Sequence, residues 1–211
     1  MTTVPLADQL FLVGHDEHTG KAHVADEVLD SGLAGAVLGE LVLAGRVAVV
    51  DGLVVVRDHR AYGEAVTDSA LAEVIKQRAS HPIRAWVEYL RDDAREMIGR
   101  RLVRDGVVQR VQSRVMLRQT VRFPAVDPVQ AASPRVHLWY SIEHPELLDE
   151  VTAMLGALVR AVGLERVLVA DTRRRARDTL QQITERLPDD LHAVVSGVDA
   201  AVAAITLTVR R

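Results

Sequence analysis

The chain has 211 residues and no cysteine, so disulfides and thiolate metal sites are excluded and a core can form without staples. Hydrophobic residues make up 48% but aromatics only 3%, so Ala, Val and Leu must build that core. A net charge of −3 lacks the strong basic excess usual for nucleic-acid binders, and no uncharged run reaches the ~18 residues of a spanning helix.

This length predicts a single domain over 1–211. The N-terminus lacks a basic region before its apolar run, and Asp8 interrupts that run, so no secretory leader is expected. Pro5–Gly14 predicts a short amphipathic helix, followed by a polar loop at His15–Lys21. A second helix is expected from about Ala25 to Ala44, with an apolar stripe through Leu29, Leu33, Val37 and Leu41. Gly32, Gly35 and Gly39 weaken it by roughly 1 kcal/mol each, which suggests close packing against another helix. Gly45 stands at its stop, and Asp51-Gly52 between Val47–Val50 and Leu53–Val56 signals a tight hairpin.

Asp68 reads as the N-cap of a helix to about Ala79. Pro82 opens a helix over Ile83–Leu90, and Asp92 or Asp93 starts another that ends near Gly106. A second hairpin follows, with Arg114–Phe123 alternating between apolar Val115, Leu117, Val121 and Phe123 and basic Arg114, Arg118 and Arg122. Pro124, Pro128 and Pro134 predict an irregular segment. Helices are expected from Pro145 to about Val162, over Asp171–Leu187, and over Asp189–Val209 with a late β-like run. "Helix, Gly, hairpin" occurs twice, read here as two ordinary helix stops rather than an internal repeat.

His15, His18 and His23 lie beside Asp16 and Glu17, but no helix converges their imidazoles, so they read as a solvated loop and no metal is expected. Ser31-Gly32 lies inside a helical pattern and is no nucleophile elbow. The glycines form neither a dinucleotide fingerprint nor a phosphate loop. The chain therefore reads as a non-enzyme without cofactors. Gly35-x-x-x-Gly39 reads as core packing.

The basic run carries more information. Residues 91–122 contain nine arginines and four acidic residues, a local sum of +5 in a chain of −3. That asymmetry predicts a positive face and an anionic partner. Arg91 and Arg95, four apart, would share one helix face and could hold a phosphate bidentately. Arg173, Arg174, Arg175 and Arg177 read as a solvated face.

Four segments in order are similar to the Golgi phosphoprotein 3 family. LADQLFLVGHDEHTG resembles its opening helix and loop, and SGLAGAVLGELVLAGRV its "SGLRG…ELALRGRL" block. AREMIGRRLVRDGVV resembles "VRERLAKNLVEKGVL", and DTRRRARDTLQQITERLPDD its C-terminal pair. The resemblance thins across Arg57–Asp68 and is gapped across Val126–Ile142. It implies a mainly helical domain with a protruding β-hairpin. It also implies phosphatidylinositol 4-phosphate binding on the cytosolic Golgi face and an adaptor role retaining glycosyltransferases through coatomer. The family's headgroup pocket uses a tryptophan and three arginines. Here the tryptophan position falls on Ala25 and the first arginine on Ala34, while Arg95 matches. The remaining arginine falls on Asp92 without a gap or on Arg91 with one insertion. Charge-assisted bonds contribute ~1.5–3 kcal/mol each, so these losses predict weak specificity for that lipid. Looser attraction to an anionic surface, ~1 kcal/mol per basic residue, survives them. In the family the hairpin supports oligomers and bilayer insertion; Val115, Met116 and Leu117 would occupy that element here.

The expected fold class is mainly α, a single helical domain with two short β-hairpins, one protruding. The expected function is a non-enzymatic, cytoplasmic, peripheral membrane adaptor, on the cytosolic Golgi face in a eukaryotic source. Arg91 and Arg95 are the lipid-headgroup candidates. Arg114, Arg118 and Arg122 are the basic membrane-facing candidates, and Val115, Met116 and Leu117 those for self-association or insertion. The rivals are a winged-helix-like nucleic-acid binder, suggested by helix plus hairpin, and a protein–protein adaptor without lipid affinity.

Overall fold

The computed structural model describes residues 4–77, 79–115, 118–144, 148–168 and 173–209, with backbone alone at 113–115, 118–119, 173–176 and 209. Its elements run α1 (Leu6–Gly14), α2 (Asp26–Leu43), β1 (Val47–Val50), β2 (Leu53–Val56), α3 (Ala65–Lys76) and α4 (Ile83–Arg104). The hairpin β3 (Val111–Val115) and β4 (Arg118–Arg122) follows. Helices α5 (Pro128–Ala131), α6 (Ser133–Glu143), α7 (Glu150–Ala161), α8 (Glu165–Leu168), α9 (Arg173–Glu185) and α10 (Asp189–Val209) complete the chain. The fold is mainly α with two antiparallel two-stranded hairpins.

Helix α2 is the centre of the core, buried at nearly every position from Ser31 to Leu41 and packed against α1, α4, α7 and α10. Its glycines permit this approach. A Cβ at Gly32 would sit 2.6 Å from Val162 Cγ1, one at Gly35 2.3 Å from Val198 Cγ2, and one at Gly39 2.9 Å from Met154 Cε. With few aromatics, close backbone approach replaces side-chain bulk as the means of filling the interior.

Five readings differ from the sequence expectation. Glu64, not Asp68, caps α3: its carboxylate accepts from the Val66 and Thr67 N–H groups. Asp68 lies one turn in and holds the incoming loop through the Tyr62 and Gly63 N–H groups. Helix α4 does not break at Asp92-Asp93, because both face solvent while the buried stripe Val87, Ala94, Ile98 and Leu102 runs on beneath them. The Pro124–Pro134 segment is partly helical, since Asp127 caps α5 at Pro128 and α6 starts at Ser133. Helix α7 starts at Glu150, capped by Asp149; Pro145 lies outside the described residues. The β-like end of α10 stays helical, with the Thr206 and Thr208 hydroxyls donating to the carbonyls four residues back. By length and composition α10 could cross a membrane, yet Leu191, Val194, Val195, Val198 and Ala201 are core residues.

Both hairpins follow the same helix stop. Arg46 N–H donates to Leu41 and Gly45 N–H to Val42, and Val107 and Gly106 do the same to Leu102 and Val103. Both glycines have positive φ, 65° and 72°, as this stop requires. Leu164 and Gly163 repeat the pattern on Val159 and Arg160, where no hairpin follows. The recurrence is thus a common stop and not a repeat. The hairpins differ in support: β1–β2 lies on α2, α3 and α10, whereas β3–β4 packs chiefly on itself.

A buried ion network joins α1, α2, α3 and α4. Arg101 of α4 is only 5% exposed; its Nη2 lies 2.5 Å from Asp8 of α1, and its Nη1 pairs with Glu64 at the start of α3. Glu40 of α2 accepts from the Ala7 N–H at 2.9 Å and from the Thr67 hydroxyl. Burial raises the pKa of Asp8 and of Glu40. Burial pushes Glu64 up as well, but hydrogen bonds from Arg101 and the Thr67 and Val66 N–H groups bring it below the usual range. Removing one partner of such a group leaves uncompensated charge inside and costs about 3–5 kcal/mol. Arg101→Met should therefore lose about that much stability in urea unfolding, against less than ~1 kcal/mol for Arg100→Met, whose ion pair with Glu96 is exposed. Equal losses for the two variants would remove Arg101 from its structural role.

Candidate functional site

Arg91 and Arg95 do come together, one turn apart on the face of α4 that meets the start of α2. Arg95 is held there: its Nη1 lies 2.7 Å from Asp26 and its Nε 3.1 Å from Asp30. Arg91 has Asp92 at 3.5 Å and acts electrostatically on Asp30. Arg91 rather than Asp92 therefore shares the site with Arg95; the Asp92 side chain is 79% exposed and lines a neighbouring groove. That groove, about 360 Å³, also carries Asp93 and Glu73 and is acidic. Burial raises the Asp30 pKa to about 7, with Arg95 opposing it and Asp26 adding to it. Ala25 is the exposed N-cap of α2 and supplies no side-chain cap. Ala34 is fully buried in the core. An anion arriving at Arg95 would have to displace two carboxylates, and nothing at Ala25 or Ala34 would help hold it.

The continuous positive face expected across Arg91–Arg122 is not formed. Arg101 is internal, Arg100 and Arg110 both pair with Glu96 at 2.9 and 3.2 Å, and Arg104 pairs with Asp105 at 3.1 Å. With Asp26 and Asp30 on Arg95, and Asp8 and Glu64 on Arg101, the formal excess over residues 91–110 is offset by acids both within the segment and from α1, α2 and the head of α3. What is left lies on β3–β4. Residues 111–122 contain three arginines and no acidic residue.

The hairpin also corrects the alternation expected through Arg114–Phe123. The chain reverses between Val115 and Arg118, and the register pairs Val115 with Arg118, Arg114 with Gln119 and Val111 with Arg122. Cross-strand partners share a face, so the Arg118 and Arg122 positions fall with Val111 and Val115, opposite the Arg114 position. Met116 and Leu117 lie outside the described residues. Arg122 is exposed.

The base of this hairpin is fixed by the loop after α1. Phe123 fills the space over Gly99 of α4, where a Cβ would be 2.7 Å from its ring, and meets Phe11 edge-on at 5.3 Å. Phe123 N–H donates to Gly20, and Ala125 N–H to Glu17. Gly20, with φ of 64°, passes so close that a Cβ would lie 2.2 Å from Pro124 N. His15 belongs to this packing and not to a solvated loop. It is 5% exposed, lies 4.2 Å from Phe11 and bonds the Phe11 carbonyl; burial lowers its pKa to about 4. Among the described residues no group of three or more His, Asp or Glu is placed to hold a metal.

Sequence reasoning assigned Arg101 to the surface and missed the buried network. A signal was present: Asp8 and Glu40 both stand within the apolar stripes of their helices, where a carboxylate needs an internal partner.

The architecture defines a helical body that presents an arginine-rich hairpin from a fixed base. The chain belongs to the Golgi phosphoprotein 3 (GPP34) family, whose model matches residues 6–205, nearly its full length. Comparison with curated proteins finds no match.

The raised Asp30 pKa carries a sign. A carboxyl whose folded pKa lies above its ordinary 3.8 contributes stability that is full below about pH 4 and is lost as pH rises through about 7. Asp30→Asn removes that dependence. Urea unfolding from about pH 4 to about pH 8 should therefore show wild type losing ground to the variant as pH rises. Parallel curves would place the Asp30 pKa in the ordinary range.

Proposed function

We propose that this protein is a non-enzymatic, cytoplasmic, peripheral membrane adaptor that binds anionic lipid surfaces through β3–β4. The observation that carries this reading is the run of Arg114, Arg118 and Arg122, without an acidic residue over residues 111–122, on a hairpin that packs chiefly on itself. Basic residues near an anionic surface contribute about 1 kcal/mol each, and a free-standing hairpin can approach such a surface without unpacking the core. Val115, Met116 and Leu117 are the candidates to enter the headgroup layer or pair with a second copy.

Arg91 and Arg95 are the headgroup contacts in this reading, secondary to the hairpin because Asp26 and Asp30 already occupy Arg95. With alanine at 25 and 34, binding follows surface charge rather than headgroup identity. Membrane binding is favoured over the winged-helix reading because α2 and α4, the helices before the hairpins, are core elements and leave no free recognition helix.

Co-sedimentation with phosphatidylserine vesicles tests this. Wild type should bind, and binding should be similar when phosphatidylinositol 4-phosphate supplies the same surface charge. Arg118→Glu with Arg122→Glu should lower the partition at least about tenfold, and Arg91→Glu with Arg95→Glu less. No binding by wild type would sink the lipid role; an unaltered hairpin double mutant would remove the hairpin from it.

A further inference from the structure

Helix α6 is apolar on two opposite faces, and the protein covers only one. Leu138, Ser141 and Ile142 are buried inside. On the outside Val136 is 56% exposed, Trp139 42% and Tyr140 47%, and the preceding Val126 and Val129 are 53% and 83% exposed. A helix that is apolar all round is normally enclosed, and a contiguous exposed apolar patch marks a contact surface.

We infer that the outer face of α5–α6 is a second membrane contact, lying in the headgroup layer of an anionic bilayer beside the hairpin. Two observations choose a lipid surface as the occupant. The face combines Trp139 and Tyr140 with aliphatic side chains, and these two residue types settle at bilayer interfaces because their rings are apolar and their tips polar. Pro128 through Ile142 carries no acidic residue, but the exposed Asp127 and Glu143 flank it, Glu143 on the same side of α6 as Tyr140, so the contact this face offers is apolar and interfacial rather than electrostatic. The face is also continuous with the hairpin base. Val126 N–H donates to Val107 at 2.9 Å and Gln109 N–H to Pro124 at 2.8 Å, while Arg135 of α6 pairs with Glu17, whose carbonyl holds Ala125. A second copy fits less well. An 11-residue helix is about 16 Å long and ~10 Å wide, far short of the ~800 Å² per partner of a stable interface.

This rests on the anionic-membrane reading, and the test separates the two. The chain has two tryptophans, and Trp86 is 4% exposed, so Trp139 reports the outer face. With vesicles of phosphatidylcholine and phosphatidylserine, Trp139 emission should shift to the blue and be quenched by brominated acyl chains. Trp139→Phe should show neither change. Val136→Glu with Tyr140→Glu, both at exposed positions, should lower the partition about tenfold with the circular dichroism spectrum unchanged. Co-sedimentation with unshifted Trp139 emission would overturn the second contact and leave the hairpin reading standing. No co-sedimentation would overturn both. A blue shift that grows with protein concentration in the absence of vesicles would assign the face to a second copy and overturn the inference.

Discussion

One buried guanidinium holds the helical body together. Arg101 lies between carboxylates from two other helices, Asp8 of α1 and Glu64 at the head of α3, and Glu40 of α2 closes the group through Thr67 and the Ala7 backbone. A charge inside a protein is tolerated only when its partners are fixed, so this group specifies how the four helices meet. The aliphatic core around it is small-residue-rich and does less to dictate a unique packing. Because Arg101 is carried on α4, whose last turn stops at Gly106, the same residue also fixes where the β3–β4 hairpin begins.

That constraint divides the arginines into two populations. Those on α4 and just beyond it are near helical neighbours with carboxylates, and they pair: Arg95 with Asp26 and Asp30, Arg100 and Arg110 with Glu96, Arg104 with Asp105. Farther out, residues 111–122 contain three arginines and no acidic residue. In the proposed function, membrane attraction therefore belongs chiefly to β3–β4 and α5–α6, with Arg91 and Arg95 secondary. Ala34, buried in the core, and Asp30, with its carboxyl raised to about 7, both make that position a structural joint between α2 and α4.

Most of the fold was legible in the sequence because it rests on local signals. The Asp51-Gly52 hairpin, the stops at Gly45 and Gly106, and the glycine-rich close packing of α2 follow from residue type and spacing. The errors arose where two signals competed. Asp68 is the N-cap by residue type, but it is taken up by the Tyr62 and Gly63 N–H groups, and Glu64 caps α3 instead. Asp92-Asp93 looked like a start because a cap and an exposed helix turn have the same composition. The arginine-rich segment was readable as charge but not as a surface, since pairing depends on acids brought from α1, α2 and the α3 cap, as many as 93 residues away in sequence. The exposed face of α6 could not be seen either: Val136, Trp139 and Tyr140 alternate with buried Leu138 and Ile142, and composition alone does not say which side the core takes.

Hydrogen–deuterium exchange of the whole protein with and without phosphatidylserine vesicles tests this division most directly. Slower exchange over residues 107–126 and 128–143, with a smaller change at residues 25–30 and 91–95, is the expected result. Protection confined to 25–30 and 91–95, with the hairpin and α6 exchanging as in free protein, would contradict it.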